Sequence, residues 1–267
     1  MQRIALGIEY DGSRYFGWQR QKKRSSVQES LETAISKVAN HSILTYCAGR
    51  TDAGVHASNQ VIHFDSEADR APIAWVRGVN SYLPPDIRVC WMQPVSTDFD
   101  ARKSALSRRY CYIIVNRAVS PGILRHGVTW ILPTLDVDAM QSGAQYLLGK
   151  HDFSSFRGAH CQAKTPIRTI SAVQFHRLGD NIILDITANA FLYHMVRNIV
   201  GSLLMVGQGK CPDTWIKEVL AAKDRRAAGL TAPPQGLYLV DVRYPDNFGL
   251  PEPIRMPWFL PSPVLTA

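Results

Sequence analysis

An acid in a glycine-bounded loop is the first candidate for chemistry: Gly49, Arg50, Thr51, Asp52, Ala53, Gly54, Val55, His56 and Ala57. Strand-like apolar runs flank it at residues 43–47 and 60–64, so Asp52 is expected at the exposed end of a sheet. Catalytic side chains favour such loops on rigid scaffolds. A carboxylic acid of ordinary pKa, about 3.9, is ionised at neutral pH and needs no activating base to act as a nucleophile. Spacing alone also permits a structural reading, in which Asp52 makes a turn hydrogen bond and Arg50 pairs with it on the surface.

Other positions invite the same double reading. Tyr110 opens a strand-like run at 110–115, where an aromatic packs across strands by default but also offers a stacking face with a hydroxyl handle. Arg197 interrupts the helical apolar pattern of Met195, Val196, Ile199, Val200, Leu203 and Leu204; its charge is costly there unless it is paired, reaches a cleft or lies on the helix's opposite edge. Leu237 sits in a run at 237–240 that reads as core. Arg14, Arg20, Lys22, Lys23 and Arg24, mixed with Tyr15, Phe16 and Trp18, form a basic, aromatic loop suited to phosphates and unstacked bases, or a solvated face.

Several features resemble sites without the full pattern. His56, His63 and His194 match no metal-ligand spacing, with His63 on an alternating strand, so no metal is expected. Residues 158–165 nearly spell a phosphate-binding loop, but Ala163 replaces its second glycine and Pro166 follows instead of a helix. Residues 207–210 lack the third glycine of a dinucleotide fingerprint, so no nucleotide cofactor is implied. Five cysteines, odd in number and widely spaced, read as reduced, buried or inert thiols.

These residues need elements to position them. A strand at 4–10 leads into the basic loop; Ser25 or Ser26 caps a helix carrying Val27, Leu31, Ala34, Ile35 and Val38 and ending near Asn40. Strands at 43–47 and 60–64, a helix from Pro72 through Val79 and a strand at 87–92 complete the order β-α-β-β-α-β. The second half repeats it, with strand 109–115, helix 136–148, strands 168–175 and 182–187, helix 194–206 and strand 237–242. The expected fold is α+β: two ferredoxin-like or RRM-like split β-α-β halves with antiparallel sheets, joined around a central catalytic cleft. The expected domains are 1–106, carrying the Asp52 loop, and 107–245, completing the cleft, with a Pro-rich tail at 246–267.

Composition bounds the partner. The 267 residues carry a net charge of +8, of which residues 1–106 contribute +2 (13 basic, 11 acidic) and 107–267 contribute +6 (17 basic, 11 acidic). Such an excess favours an anionic partner. No apolar run is long enough for a membrane helix, and the N-terminus lacks a signal-peptide core, so a soluble, cytoplasmic protein is expected.

Ala48-Gly49-Arg50-Thr51-Asp52-Ala53-Gly54-Val55-His56-Ala57 resembles the signature of the TruA family of tRNA pseudouridine synthases. Further stretches are similar to the family in order: 9–12 with 15–21, 99–102 through 108–110, 151–157, 190–198 and 236–239, a resemblance covering residues 3–244. It implies the pseudouridine synthase fold and a cofactor-free isomerase that turns uridine into pseudouridine at tRNA positions 38, 39 and 40, on the 3′ side of the anticodon stem and loop. It further implies Asp52 as nucleophile, Tyr110 stacking on the flipped uracil, Arg197 in the active site, Leu237 facing the base, and a homodimer in which each tRNA spans both subunits. Side-chain geometry would let Arg50 hold Asp52 or fill the gap left by a flipped nucleotide. Two rivals stand beside this reading: an RNA-binding module without chemistry, which would carry an aromatic RNP-like run that the sequence lacks, and an N-glycosidase that releases the base.

Overall fold

A computed structural model of the chain describes residues 1–251 and 256–260; the rest of the expected tail, 252–255 and 261–267, lies outside the described residues. The N-terminal apolar run forms β1 (Gln2–Tyr10), buried at every position from 4 to 8, as a strand covered on both faces reads. Ser26 caps α1 (Val27–Ala39) by accepting from the Glu29 amide, and Asn40 closes it in the left-handed region at φ 59°. Such a cap stabilises a helix by about 1 kcal/mol. The run expected as strand 43–47 yields only β2 (Tyr46–Cys47). The amides of Ile43 and Thr45 bond instead to the side chains of Ser36 and Glu32 on α1, both at 2.9 Å.

β3 (His56–Ser66) is longer than expected and pairs antiparallel with β1 from Gln2 opposite Ser66 to Tyr10 opposite Ala57. His56 and Ala57 of the Asp52 motif are therefore already strand. Pro72 opens α2 (Pro72–Tyr82), whose Trp75 meets Phe64 of β3 edge-on at 5.3 Å, and β4 (Ile87–Val95) pairs with the other edge of β1. The alternation expected around His63 is absent, because β3 is buried almost throughout. Phe64 faces α2, so His63 points the opposite way, where Tyr46 stacks on it at 5.1 Å and Phe99 meets it edge-on at 5.9 Å.

The second half contains β5 (Ser107–Asn116), β6 (Thr129–Ile131), α3 (Val137–Gln145), β7 (Gly149–Asp152), β8 (Ile167–Leu178), β9 (Asn181–Ala188), α4 (Met195–Gly207), α5 (Trp215–Ala222) and β10 (Leu237–Arg243). The β5-β9-β8-β7 ladder is antiparallel. Asp136 caps α3, which stops short of the expected residue 148 because Tyr146, Leu147 and Leu148 bond three residues back and so tighten the last turn. β6, β7 and α5 were not expected; at three, four and eight residues they are too short for hydrophobic periodicity to declare them.

The chain separates into two compact units, Met1–Ser107 with the described residues from Tyr238 onward, and Arg108–Leu237. Strand 237–242, expected to complete the second half, thus lies almost entirely with the first. β10 runs parallel to β3, Tyr238 beside His56 and Leu239 beside Ala57, and Tyr244 donates to the Ala101 carbonyl at 2.6 Å. The architecture is α+β, but its strand pairing is mixed, since β3–β10 and β5–β6 are parallel where wholly antiparallel sheets were expected.

Candidate active site

The Asp52 loop is braced from two directions. On one side Gln60, fully buried on β3, holds Gly49 by both polar atoms, donating to its carbonyl at 2.6 Å and accepting from its amide at 3.3 Å. On the other side lies the segment after β1. Tyr10 and Thr51 share a buried hydroxyl–hydroxyl bond of 2.8 Å, the Trp18 amide donates to the Thr51 carbonyl at 3.0 Å, and the Gly54 amide donates to the Tyr15 carbonyl at 3.3 Å. The loop closes on itself where the Val55 amide donates to the Asp52 carbonyl at 3.1 Å, with Gly54 at φ 76° supplying the positive φ that such a turn needs at its third position.

Gly17 makes this brace possible. Its φ is 92°, and a Cβ there would lie 2.7 Å from the Thr51 carbonyl oxygen. His56 anchors the far end: its Nδ1 accepts from the Gly12 amide at 3.1 Å, and its ring stacks on Tyr238 at 4.6 Å. Asp52 is left half-buried at the loop's apex and Arg50 exposed beside it. A carboxylate presented on so constrained a loop is suited to attack an electrophilic carbon held in one place.

The basic loop does not act as one group. Arg20 pairs with Glu32, which is 3% exposed on α1, at 2.7 Å, so its charge is committed within the protein. Arg14 is 79% exposed and 4.0 Å from Asp86. Lys22, Lys23 and Arg24 are exposed, and the Arg24 guanidinium lies 4.8 Å over the ring of Phe16, itself exposed. This surface of cation on aromatic can meet both phosphate and base.

In the second unit, Tyr110 is buried on β5 with Phe191 edge-on at 5.1 Å. Arg197 is held by the segment that precedes β10. Arg197 Nε donates to the Ala232 carbonyl at 2.8 Å, the Ala232 amide returns a 3.0 Å bond to the Arg197 carbonyl, and Leu237 follows as a buried residue. Arg197 is thus paired with backbone and half-buried, not spread on a solvent face.

Asn198, beside it in sequence, was not foreseen. Its Oδ1 accepts from Arg225 at 3.0 Å and Thr231 at 2.7 Å, and its Nδ2 donates to the Phe156 carbonyl at 2.8 Å, tying three segments to one amide. The same segment crosses α4 at Gly201, where a Cβ would lie 1.7 Å from the Leu230 carbonyl oxygen. A buried amide inside an apolar helix, as at 198, was the available signal.

His63 is buried, accepts from the Ala101 amide at 3.1 Å and has its pKa lowered by that burial. His194 precedes α4. Residues 157–166 run as a loop into β8, and Gly207 ends α4. No cluster of three metal-ligating side chains occurs among the described residues, and no helix among them is long and apolar enough to cross a membrane. Cys161 is a half-buried free thiol. Burial works against ionisation, but hydrogen bonds from the Tyr193 and Ala163 amides and from Arg157 outweigh it and hold the thiol below its ordinary range.

Residues 7–102 and 144–245 match the model of a family described as tRNA pseudouridine synthase. The tRNA pseudouridine synthase A of Aeromonas hydrophila is 59% identical over 260 residues, covering 97% of both chains. That of Colwellia psychrerythraea is 56% identical over 258 residues, covering 97% of this chain and all of its own. That of Tolumonas auensis is 57% identical over 258 residues, covering 96% and 99%.

Proposed function

Starting from the fact that this chain belongs to the tRNA pseudouridine synthase family, we propose that Asp52 is the nucleophile by which it isomerises uridines of the tRNA anticodon stem and loop. The enzyme is a pseudouridine synthase, an isomerase. The reaction breaks the C1′–N1 glycosidic bond, forms C1′–C5, releases the C5 proton and returns one to N1, so atoms balance without oxidant, reductant or nucleotide. Asp52 holds one fragment covalently while the uracil turns.

The observation that carries this reading is the bracing of the Asp52 loop by Gln60 on one side and by Tyr10, Tyr15 and Trp18 on the other, with Gly17 leaving room for it. A covalent nucleophile must be pre-positioned, and a simple surface turn needs no such support. In this reading Tyr110 stacks on the flipped uracil, Arg197 belongs to the active site, Leu237 covers the base, and Arg50 either steadies Asp52 or fills the gap in the helix. Arg14, Lys22, Lys23 and Arg24 meet the tRNA backbone; Arg20 supports the loop they stand on. The enzyme acts in the cytoplasm as a homodimer on sites at the 3′ side of the anticodon arm.

The test is incubation of the purified protein with unmodified tRNA, without added metal or nucleotide, and mapping of pseudouridine by carbodiimide-dependent primer-extension stops. Stops on the 3′ side of the anticodon arm, lost in Asp52→Asn with tRNA affinity within a few-fold, support the assignment. Retained turnover in Asp52→Asn removes Asp52 from this role, and release of free uracil, read by mass spectrometry, would make the protein a glycosidase.

A further inference from the structure

The second unit carries a surface that the assignments above leave unused. Residues 157–166 contain neither helix nor strand, yet the loop is fastened at several points. The Gly158 amide donates to the Tyr193 carbonyl at 2.8 Å, the Tyr193 amide to Cys161 Sγ at 3.5 Å, and Arg157 to the carbonyls of Cys161 and Ala163, both at 2.8 Å. These bonds fix an exposed aromatic ring in place. Tyr193 is 45% exposed and stacks on His194 with ring centroids 3.8 Å apart and planes 27° from parallel. His194 holds φ 62°, a left-handed conformation that a residue with a Cβ disfavours and that here sets the two rings face to face.

The loop fastened to Tyr193 is cationic. Residues 157–166 contain no Asp or Glu, and Arg157 and Lys164 fall within them. Lys164 and His160 are exposed. A protein partner would be met by an apolar rim, but the loop fastened to this ring carries charge of one sign. Stacking on a fixed aromatic, with cations beside it for phosphate, is how unpaired nucleotides are held, and a ring already immobilised loses little entropy on binding.

We propose that Tyr193, stacked on His194, is a second RNA-contact site that takes one unpaired nucleotide of the tRNA, with Lys164 meeting a neighbouring phosphate. The proposal rests on the reading of the chain as a tRNA-modifying enzyme and adds to it a binding residue outside the residue 14–24 loop.

The experiment uses the full chain and fluorescently labelled unmodified tRNA. Kd, its salt dependence, and KM and kcat for pseudouridine formation are measured for wild type, Tyr193→Ala, Tyr193→Phe and Lys164→Glu. Tyr193→Ala is expected to raise Kd and KM about 10-fold with kcat within about 2-fold, while Tyr193→Phe keeps the stacking face and wild-type values. Lys164→Glu, an exposed position independent of any folding defect at Tyr193, is expected to weaken binding and flatten the slope of log K against log salt by about 0.7 for each phosphate no longer neutralised. Unchanged Kd and KM in Tyr193→Ala and in Lys164→Glu would overturn the site while leaving the enzyme assignment intact. A change in oligomeric state with unchanged Kd would make it a protein interface. Wild-type protein that neither binds nor isomerises tRNA would overturn both.

Discussion

Replacing Gly17 by Ala tests whether the brace on the Asp52 loop matters to catalysis or only to stability. The new Cβ would stand 2.7 Å from the Thr51 carbonyl oxygen and 3.1 Å from the Asp52 carbonyl carbon and the Ala53 nitrogen. To restore a tolerable contact the Thr51 carbonyl must withdraw by at least about 0.3 Å, and the peptide that moves is the one joined to Asp52. If a misplacement of about 1 Å costs on the order of 100-fold in rate, a shift of about 0.3 to 0.5 Å lowers kcat about 4- to 10-fold. The positive φ adds about 1–2 kcal/mol of backbone strain, or a melting temperature lower by roughly 2–8 °C. Gly179→Ala separates the two effects, because Gly179 also has positive φ (59°) but nothing within 4 Å of its Cβ position. The assay is the single-turnover rate of pseudouridine formation at saturating tRNA, with melting followed by circular dichroism. Gly17→Ala should lose both rate and stability, and Gly179→Ala only stability. If Gly17→Ala keeps the wild-type rate while melting as early as Gly179→Ala, the brace does not position Asp52 and serves stability alone.

Three other outcomes are expected. Gly201→Ala should destabilise the protein by at least about 2 kcal/mol, since its Cβ would lie 1.7 Å from the Leu230 carbonyl oxygen; an unchanged urea midpoint would contradict that packing. Iodoacetamide near neutral pH, followed by mass-spectrometric mapping, should label Cys161 before Cys47 and Cys111. Hydrogen bonds lower the Cys161 thiol against the effect of burial, whereas burial pushes Cys47 up to about 12 and Cys111 up as well; equal labelling would refute the ordering. Arg3 holds the Asp65 carboxyl below its usual range through bonds of 2.8 Å to each oxygen. A depressed carboxyl stabilises the fold above its unfolded pKa of about 3.9 and loses that contribution as pH falls through the lower folded value. The melting gap between wild type and Asp65→Asn should therefore be present at pH 7 and shrink below about pH 4, and a gap that stays constant would sink the linkage.

The helices other than α5 were legible because their signals are local. Ser26 and Asn40 bound α1, Asp136 caps α3 and Pro72 opens α2, each acting within a turn of its own position. The Asp52 loop was equally legible as a glycine-bounded turn between strands. The residue pattern did not show which long-range partners these pieces would take. Arg20 looked like one more cation in a basic loop until α1 placed Glu32 beneath it. Strand 43–47 shrank because side chains of α1 took the amides that a ladder would have used.

The order of most elements, the place of Asp52 and the family motifs around it were thus readable from the chain, all being properties of residues near one another along it. Folding in three dimensions was needed to settle that Tyr10 and Trp18 hold Thr51 where Gly17 leaves room, that β10 returns to lie parallel to β3, and that Arg197 is fixed on the Ala232 carbonyl. These are contacts between residues some 30 to 180 positions apart. No periodicity encodes them, because they depend on which surfaces meet once the sheets have formed.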